Sequence, residues 1–120
     1  MNISKFTQKS IQAVQDLEKI AYEYGNQEIE QEHLLYALLT QEDSLILKLI
    51  EKMEINKEYF INTVKSALDA KVKVSGGELR FGQYLNKALV NAEDEARAMG
   101  DEYVPFAPET AKPKYEEDFL

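Results

Sequence analysis

A hundred residues without a proline constrain this chain more than any other feature. Pro105, Pro108 and Pro113 are its only prolines, and they fall within nine positions of one another near the end. Proline fixes φ and removes an amide donor, so the early stretch is free to be helical and the late one is not. The apolar pattern uses that freedom. Phe6, Ser10, Ala13, Val14, Leu17, Ala21 and Tyr24 recur at spacings of three and four, which predicts a long amphipathic helix with Ser4 as N-cap and Gly25 as its stop. A connector, Asn26 to Glu30, carries one apolar anchor, Ile29. Residues 31–39 read as a second helix with Leu34, Leu35, Leu38 and Leu39 on a wide apolar face. Asp43-Ser44 caps a third, with Leu45, Ile46, Leu49, Ile50 and Met53 inward, and Asn56 caps a fourth, with Phe60, Ile61, Val64 and Leu68 inward. Val72 to Gly77 breaks the period and reads as a flexible linker whose Val-x-Val alternation has no strand partner. A fifth helix follows, roughly Gln83 to Met99, with Leu85, Ala88, Leu89, Ala92 and Ala96 buried and Gly100 as its stop. The fold class expected is all-α.

The fifth helix repeats the first. An offset of 75 places Ala13 on Ala88, Val14 on Leu89, Ala21 on Ala96 and Gly25 on Gly100. The connector follows in register, Asn26 on Asp101, Gln27 on Glu102 and Ile29 on Val104. The agreement then stops, because Ala107-Pro108-Glu109-Thr110 stands where a second Glu-His-Leu-Leu is due. Charge breaks at the same place: residues 101–120 carry net −4 of the chain's −8, half the charge in a sixth of the length. The expected organisation is a first repeat over 1–70, a linker over 71–82, the start of a second repeat over 83–104, and an extended or disordered tail over 105–120.

Several function classes are disfavoured. The longest apolar cluster, Leu34 to Leu39, is far short of the ~18 residues a membrane span needs. The N-terminus lacks the layout of a secretory signal, and cysteine is absent, so a reducing, cytoplasmic setting is expected. A net charge of −8 opposes binding to nucleic acid, and Lys71, Lys73 and Arg80 around the linker read as solvated charges. His33 is the only histidine, so neither a two-histidine zinc motif nor a nucleophile–base pair can be assembled. It reads as a helix-start residue bonded to nearby backbone, and Glu28 and Glu32 as dipole-favoured acids. Gly76-Gly77 is not followed by the Lys-Ser or Lys-Thr of a phosphate-binding loop, so no ATP hydrolysis is expected. No catalytic, cofactor-binding or metal-binding residue is assigned.

Phe6-Thr7-Gln8-Lys9-Ser10, Tyr24-Gly25-Asn26-Gln27-Glu28-Ile29 and Glu32-His33-Leu34-Leu35-Tyr36-Ala37-Leu38-Leu39 resemble the first repeat of a Clp N-terminal domain. Leu85-Asn86 through Met99-Gly100-Asp101-Glu102-Tyr103-Val104 is similar to the start of the second. The wording is nearest to the ClpB branch of AAA+ disaggregases, ahead of ClpA or ClpC. The resemblance implies two four-helix repeats related by a pseudo-twofold axis, here the first complete and the second reduced to its first helix. It implies a non-catalytic module that engages unfolded or aggregated proteins and passes them to AAA+ ATPase modules in disaggregation and the stress response. It further implies an apolar groove between repeats, with Thr7 and Asp101 matching polar positions at its edge.

Two alternatives stand beside that reading. One is a self-associating structural fragment, a homodimer or a fold-back of the tail over the face that absent helices leave bare. The other is an adaptor-binding N-domain of the ClpC or ClpA type.

Overall fold

The computed structural model describes residues 6–101 and 103–106. Five helices dominate the described residues: α1 (Gln8–Glu23), α2 (Gln31–Leu39), α3 (Leu45–Lys52), α4 (Lys57–Asp69) and α5 (Gln83–Ala98). Two short strands, β1 (Glu28–Ile29) and β2 (Arg80–Phe81), complete the order, with β1 before α2 and β2 before α5. Most helix starts follow from local chemistry. Ser44 Oγ accepts the Leu47 amide, and Asn56 Oδ1 accepts the Tyr59 amide, so α3 and α4 begin where short polar side chains satisfy free N–H groups. The N-cap of α1 is Thr7, whose Oγ1 accepts the Ser10 amide at 3.2 Å, and not Ser4, which lies outside the described residues. Phe6 therefore precedes the helix it was expected to join.

The 75-residue repeat is a physical equivalence. Helices α1 and α5 each span 16 residues and start at register-equivalent positions. Their caps, Thr7 and Gly82, share an extended backbone with φ −66° and −69°. Both stops are left-handed glycines, Gly25 at φ 71° and Gly100 at φ 77°. After each, a connector amide returns to the helix: Asn26 N donates to Ala21 O at 2.9 Å, and Asp101 N to Ala96 O at 2.8 Å. A Cβ at Gly25 meets only Lys73 at ordinary contact distance, and one at Gly100 meets nothing. The cost of a side chain at either position is thus the left-handed backbone itself. Gly25→Ala and Gly100→Ala are each expected to lower stability by about 1 kcal/mol, equally for the two sites, in chemical denaturation.

The two halves are joined by a reciprocal clasp. Ile29 pairs in parallel with Phe81, and Phe6 pairs in parallel with Val104. Under the offset these are one pairing seen twice, since Phe6 maps to Phe81 and Ile29 to Val104. The flanking hydrogen bonds repeat as well: Gly82 N donates to Ile29 O at 2.8 Å, and Thr7 N to Val104 O at 3.1 Å. Each half thus lays the residue before its long helix on the connector of the other. Such two-residue strands are invisible in sequence, because only the tertiary arrangement supplies their partners.

The main core gathers Ala13, Leu17, Ala21, Ile29, Leu38, Leu68, Leu85 and Leu89 from α1, β1, α2, α4 and α5. A second cluster beneath α3 joins Leu39, Ile50 and Val64, with Ile46, Leu47, Phe60 and Ile61 at its edge. The expected inward face of α3 is corrected here. Leu49 and Met53 are exposed, while Leu47 packs inward, because α3 seats its 46, 47 and 50 positions against α2 and α4. The stretch after α4 is tied down despite its glycines: Asn26 Nδ2 donates to Val72 O at 3.1 Å, Val74 N to Gly25 O at 2.9 Å and Arg80 N to Gln27 O at 3.0 Å.

At the other end, the Phe106 ring meets Phe6 edge-on at 4.8 Å, and the Phe106 amide donates to Ser10 Oγ at 3.0 Å. The first two residues of the expected extended or disordered tail therefore continue the fold. Residues 107–120, and the rest of that expectation, lie outside the described residues.

Candidate protein-binding groove

Helix α5 carries Ala88, Ala92 and Ala96 at successive four-residue steps, so their methyl groups form a shallow stripe. On α1 the register-equivalent residues are Ala13, Leu17 and Ala21, all fully buried, and α2 packs on that helix. On α5 the stripe instead floors a groove of about 360 Å³. Leu34 of α2, Leu89, Met99 and Phe106 add apolar walls, while Glu95 and Asp101 stand at the polar edge. Ala96 is buried but Ala88 and Ala92 are only half-buried, and Met99 is exposed. The groove therefore offers apolar surface to a partner, the property expected of a site that recognises apolar side chains.

Of the two site residues expected by resemblance, the structure places Asp101 in this groove and Thr7 beside its support. Asp101 follows the Gly100 stop, which turns the chain so that Asp101 joins the groove lining. Thr7 is not part of that lining. Its hydroxyl donates to Ser10 Oγ at 2.9 Å, and that same oxygen accepts the Phe106 amide. Thr7 is thus linked through the buried Ser10 to Phe106, a wall of the groove. Leu34, Met99 and Phe106 were missed in the sequence. The alanine spacing on α5 was visible there, but a periodic pattern marks an apolar face without saying whether anything covers it.

The other singled-out side chains form a polar spine between the first half and the segment after α4. His33 is fully buried at the third position of α2. Its Nδ1 accepts the Glu30 backbone amide at 2.9 Å, which fixes the ring proton on Nε2. Nε2 then donates to Asn26 Oδ1 at 3.0 Å, leaving the Asn26 amide nitrogen to donate to Val72 O. Burial, reinforced by the nearby Lys71 charge, holds the His33 pKa below its usual value. Lys71 itself bridges Glu30 and Glu32. Burial opposes its charge, but the hydrogen bonds and charges of the two carboxylates together raise the Lys71 pKa.

Arg80 pairs with Glu28 at 3.1 Å, and Lys73 donates to Tyr24 O and Leu68 O while lying 5.5 Å from the Tyr24 ring centre. Of the three cations expected to be solvated, Lys71 is partly buried in its bridge to Glu30 and Glu32, while Lys73 and Arg80 remain exposed and make their bonds at the surface. Among the described residues, no group of three or more His, Asp or Glu is placed to hold a metal, and no helix is long and apolar enough to cross a membrane.

Comparison with known proteins follows the same lines. The family model of the Clp repeat (R) N-terminal domain matches residues 5–107. The chaperone protein ClpB of Nitratidesulfovibrio vulgaris is 39% identical over 109 residues, covering 87% of this chain and 13% of that protein. The chaperone protein ClpB of Porphyromonas gingivalis is 38% identical over 104 residues, covering 87% of this chain and 12% of that protein. The chain thus spans about an eighth of the length of these relatives. Among solved structures, the N-terminal domain of the ClpV1 ATPase from the E. coli EAEC Sci1 T6SS superposes with a TM-score of 0.75 at 21% identity. That match covers 85% of this chain and 63% of the other. A chain described as a peptide from the EAEC T6SS Sci1 SciI protein gives a TM-score of 0.78 at 19% identity, covering 87% and 66%. At such identities these two establish the fold alone.

Proposed function

The chain belongs to the Clp repeat N-terminal domain family, and from that premise we propose that it is a non-catalytic protein-binding module of a ClpB-like, ATP-dependent chaperone. Its clients are apolar segments of unfolded or aggregated proteins, held for transfer to AAA+ modules. The observation that carries this reading is the open apolar groove on α5, floored by Ala88, Ala92 and Ala96 and edged by Asp101. Small side chains leave room for varied guest residues, and an apolar floor takes them without demanding a particular hydrogen-bond pattern. A site of this kind recognises exposed apolar character, which unfolded chains share and folded surfaces rarely present as a patch. Thr7 supports the groove through Ser10 and Phe106, and Asp101 lies at its polar edge.

The test is a fluorescence-anisotropy titration of a labelled protein kept unfolded by reduction and carboxymethylation. Saturable binding is expected. Ala92→Glu, which sets a carboxylate on the apolar floor, is expected to weaken it at least about tenfold, the effect of ~1.4 kcal/mol. Ala67→Glu, on the exposed face of α4, is expected to leave it unchanged. Absence of binding by the folded chain, or equal loss in both variants, overturns the reading.

A further inference from the structure

His33 sits in the middle of a relay of hydrogen bonds whose directions are fixed in only one way. The Glu30 amide can only donate, so Nδ1 must accept. Nε2–H must then donate, so Asn26 turns its oxygen toward the ring and its nitrogen toward the Val72 carbonyl. A neutral imidazole with one particular tautomer is thus the condition for holding Val72. A second proton on Nδ1 would face another N–H, and neither group could accept. The ring cannot turn away to water where it stands, because it is fully buried.

The charged groups that face His33 are Lys71, which follows α4, Glu30 before α2, and Glu32 within α2. An imidazolium is attracted by the two carboxylates and repelled by Lys71. Both carboxylates are already bridged by Lys71, whose ammonium anchors the start of the same segment. Protonation therefore acts twice on one stretch: it disorients Asn26, the donor to Val72, and it places a second cation beside Lys71. Beyond these, the segment before β2 holds to the connector by peripheral ties, Val74 N to Gly25 O and Lys73 to Tyr24 O. Val72 and Val74 are exposed. On the helices these bonds reach only the first turn of α2 and the Leu68 carbonyl near the end of α4, and Leu79 packs on the main core beyond them. The second half has no copy of the device, since Asp101 and Pro108 occupy the positions equivalent to Asn26 and His33.

We propose that His33 is an acid-sensitive latch, whose protonation releases residues 71–76 from the connector after α1 while the helices, and Leu79 on the main core, stay packed. The latch would loosen the covalent link between the two halves without unfolding either.

Solution NMR of the full chain tests this from pH 7.5 to 5.0, a range in which ordinary Glu carboxylates stay largely ionised. The His33 ring nitrogens report protonation, and hydrogen exchange at the Val74 amide reports the segment. The Leu17 amide in α1 serves as reference. Corrected for intrinsic exchange rates, Val74 protection is expected to fall about tenfold per pH unit below about pH 6.5, as one linked proton requires. Leu17 protection is expected to hold. His33→Gln keeps an acceptor for the Glu30 amide but cannot titrate, and is expected to abolish the slope. Asn26→Ala is expected to leave Val74 weakly protected at every pH, with the helices intact. PH-independent Val74 protection in the parent, parallel loss at Val74 and Leu17, or the same slope in His33→Gln overturns the proposal.

Discussion

Leu17→Ala is expected to remove about 3 kcal/mol of folding free energy, within the ~2–5 kcal/mol seen when buried leucines are truncated. Leu17 is fully buried midway along α1, and its cluster draws on β1, α2, α4 and α5 as well. A hole shared by five elements cannot be closed by moving one of them, so the cavity cost adds to the lost transfer energy. Domain stabilities are ~5–15 kcal/mol, which makes this a large fraction of the total. The thermal midpoint in scanning calorimetry should drop by about 12–24 °C, at ~4–8 °C per kcal/mol. The register-equivalent Ala92 is half-buried on the groove floor, and Ala92→Ser there is expected to cost less than about 1 kcal/mol. The contrast tests whether the two long helices have taken different tasks. A similar cost at both positions would mean that the α5 face is buried after all.

Phe6→Ala is the second large effect, about 3 kcal/mol, at the low end of the ~3–5 kcal/mol range for buried aromatics. Phe6 is 2% exposed and pairs with Val104 while its ring packs on Phe106. Its cluster, with Ala96 and Val104, is small, so little else holds the end of α5 and residues 103–106 to the start of α1. The loss should therefore have a local signature. Hydrogen exchange should speed up at the Thr7 and Phe106 amides, which donate to Val104 O and Ser10 Oγ, before it does in α2 or α4. Phe81→Ala, the register-equivalent change, removes a less buried ring and should cost about half as much. Equal and purely global destabilisation by both would deny that the clasp at Phe6 is a separate unit.

What could be read in the sequence was governed by local chemistry. Ser44 and Asn56 cap the helices they were expected to cap, because a short polar side chain meets free amides within its own turn. Gly25 and Gly100 stop helices because glycine takes a left-handed backbone without steric cost where a helical period ends. The 75-residue offset extended that local reading to the relation between α1 and α5. Apart from the start of α1, where Thr7 and not Ser4 is the cap, the failures lie where a distant segment decides. Pairing of β1 with β2 depends on the fold bringing Ile29 to Phe81, and two residues carry no strand pattern of their own. Leu49 and Met53 fit the helical period but lie on the rim, since α3 is rotated by its packing on α2 and α4. Lys71 looked solvated because its partners, Glu30 and Glu32, belong to a distant part of the sequence, whereas Lys73 and Arg80 are exposed as expected.

The groove was legible in part for the same reason. Its alanine floor follows from helical spacing, and resemblance singled out Asp101. Its openness does not follow, because whether Ala88 and Ala92 are covered is decided by elements beyond α5. Thr7 shows the converse: resemblance placed it at the groove edge, and in the structure it lies outside the lining, bonded to Ser10, which also accepts the Phe106 amide.

The central claim, that the α5 groove holds apolar segments of unfolded clients, is tested most directly by mapping amide and methyl NMR shifts during titration with the carboxymethylated unfolded protein. The account predicts changes concentrated at Leu34, Ala88, Ala92, Ala96 and Met99, with α3 and α4 unmoved. Changes confined to the exposed Leu49, Met53 and Tyr59 surface, with the α5 stripe silent, would contradict it.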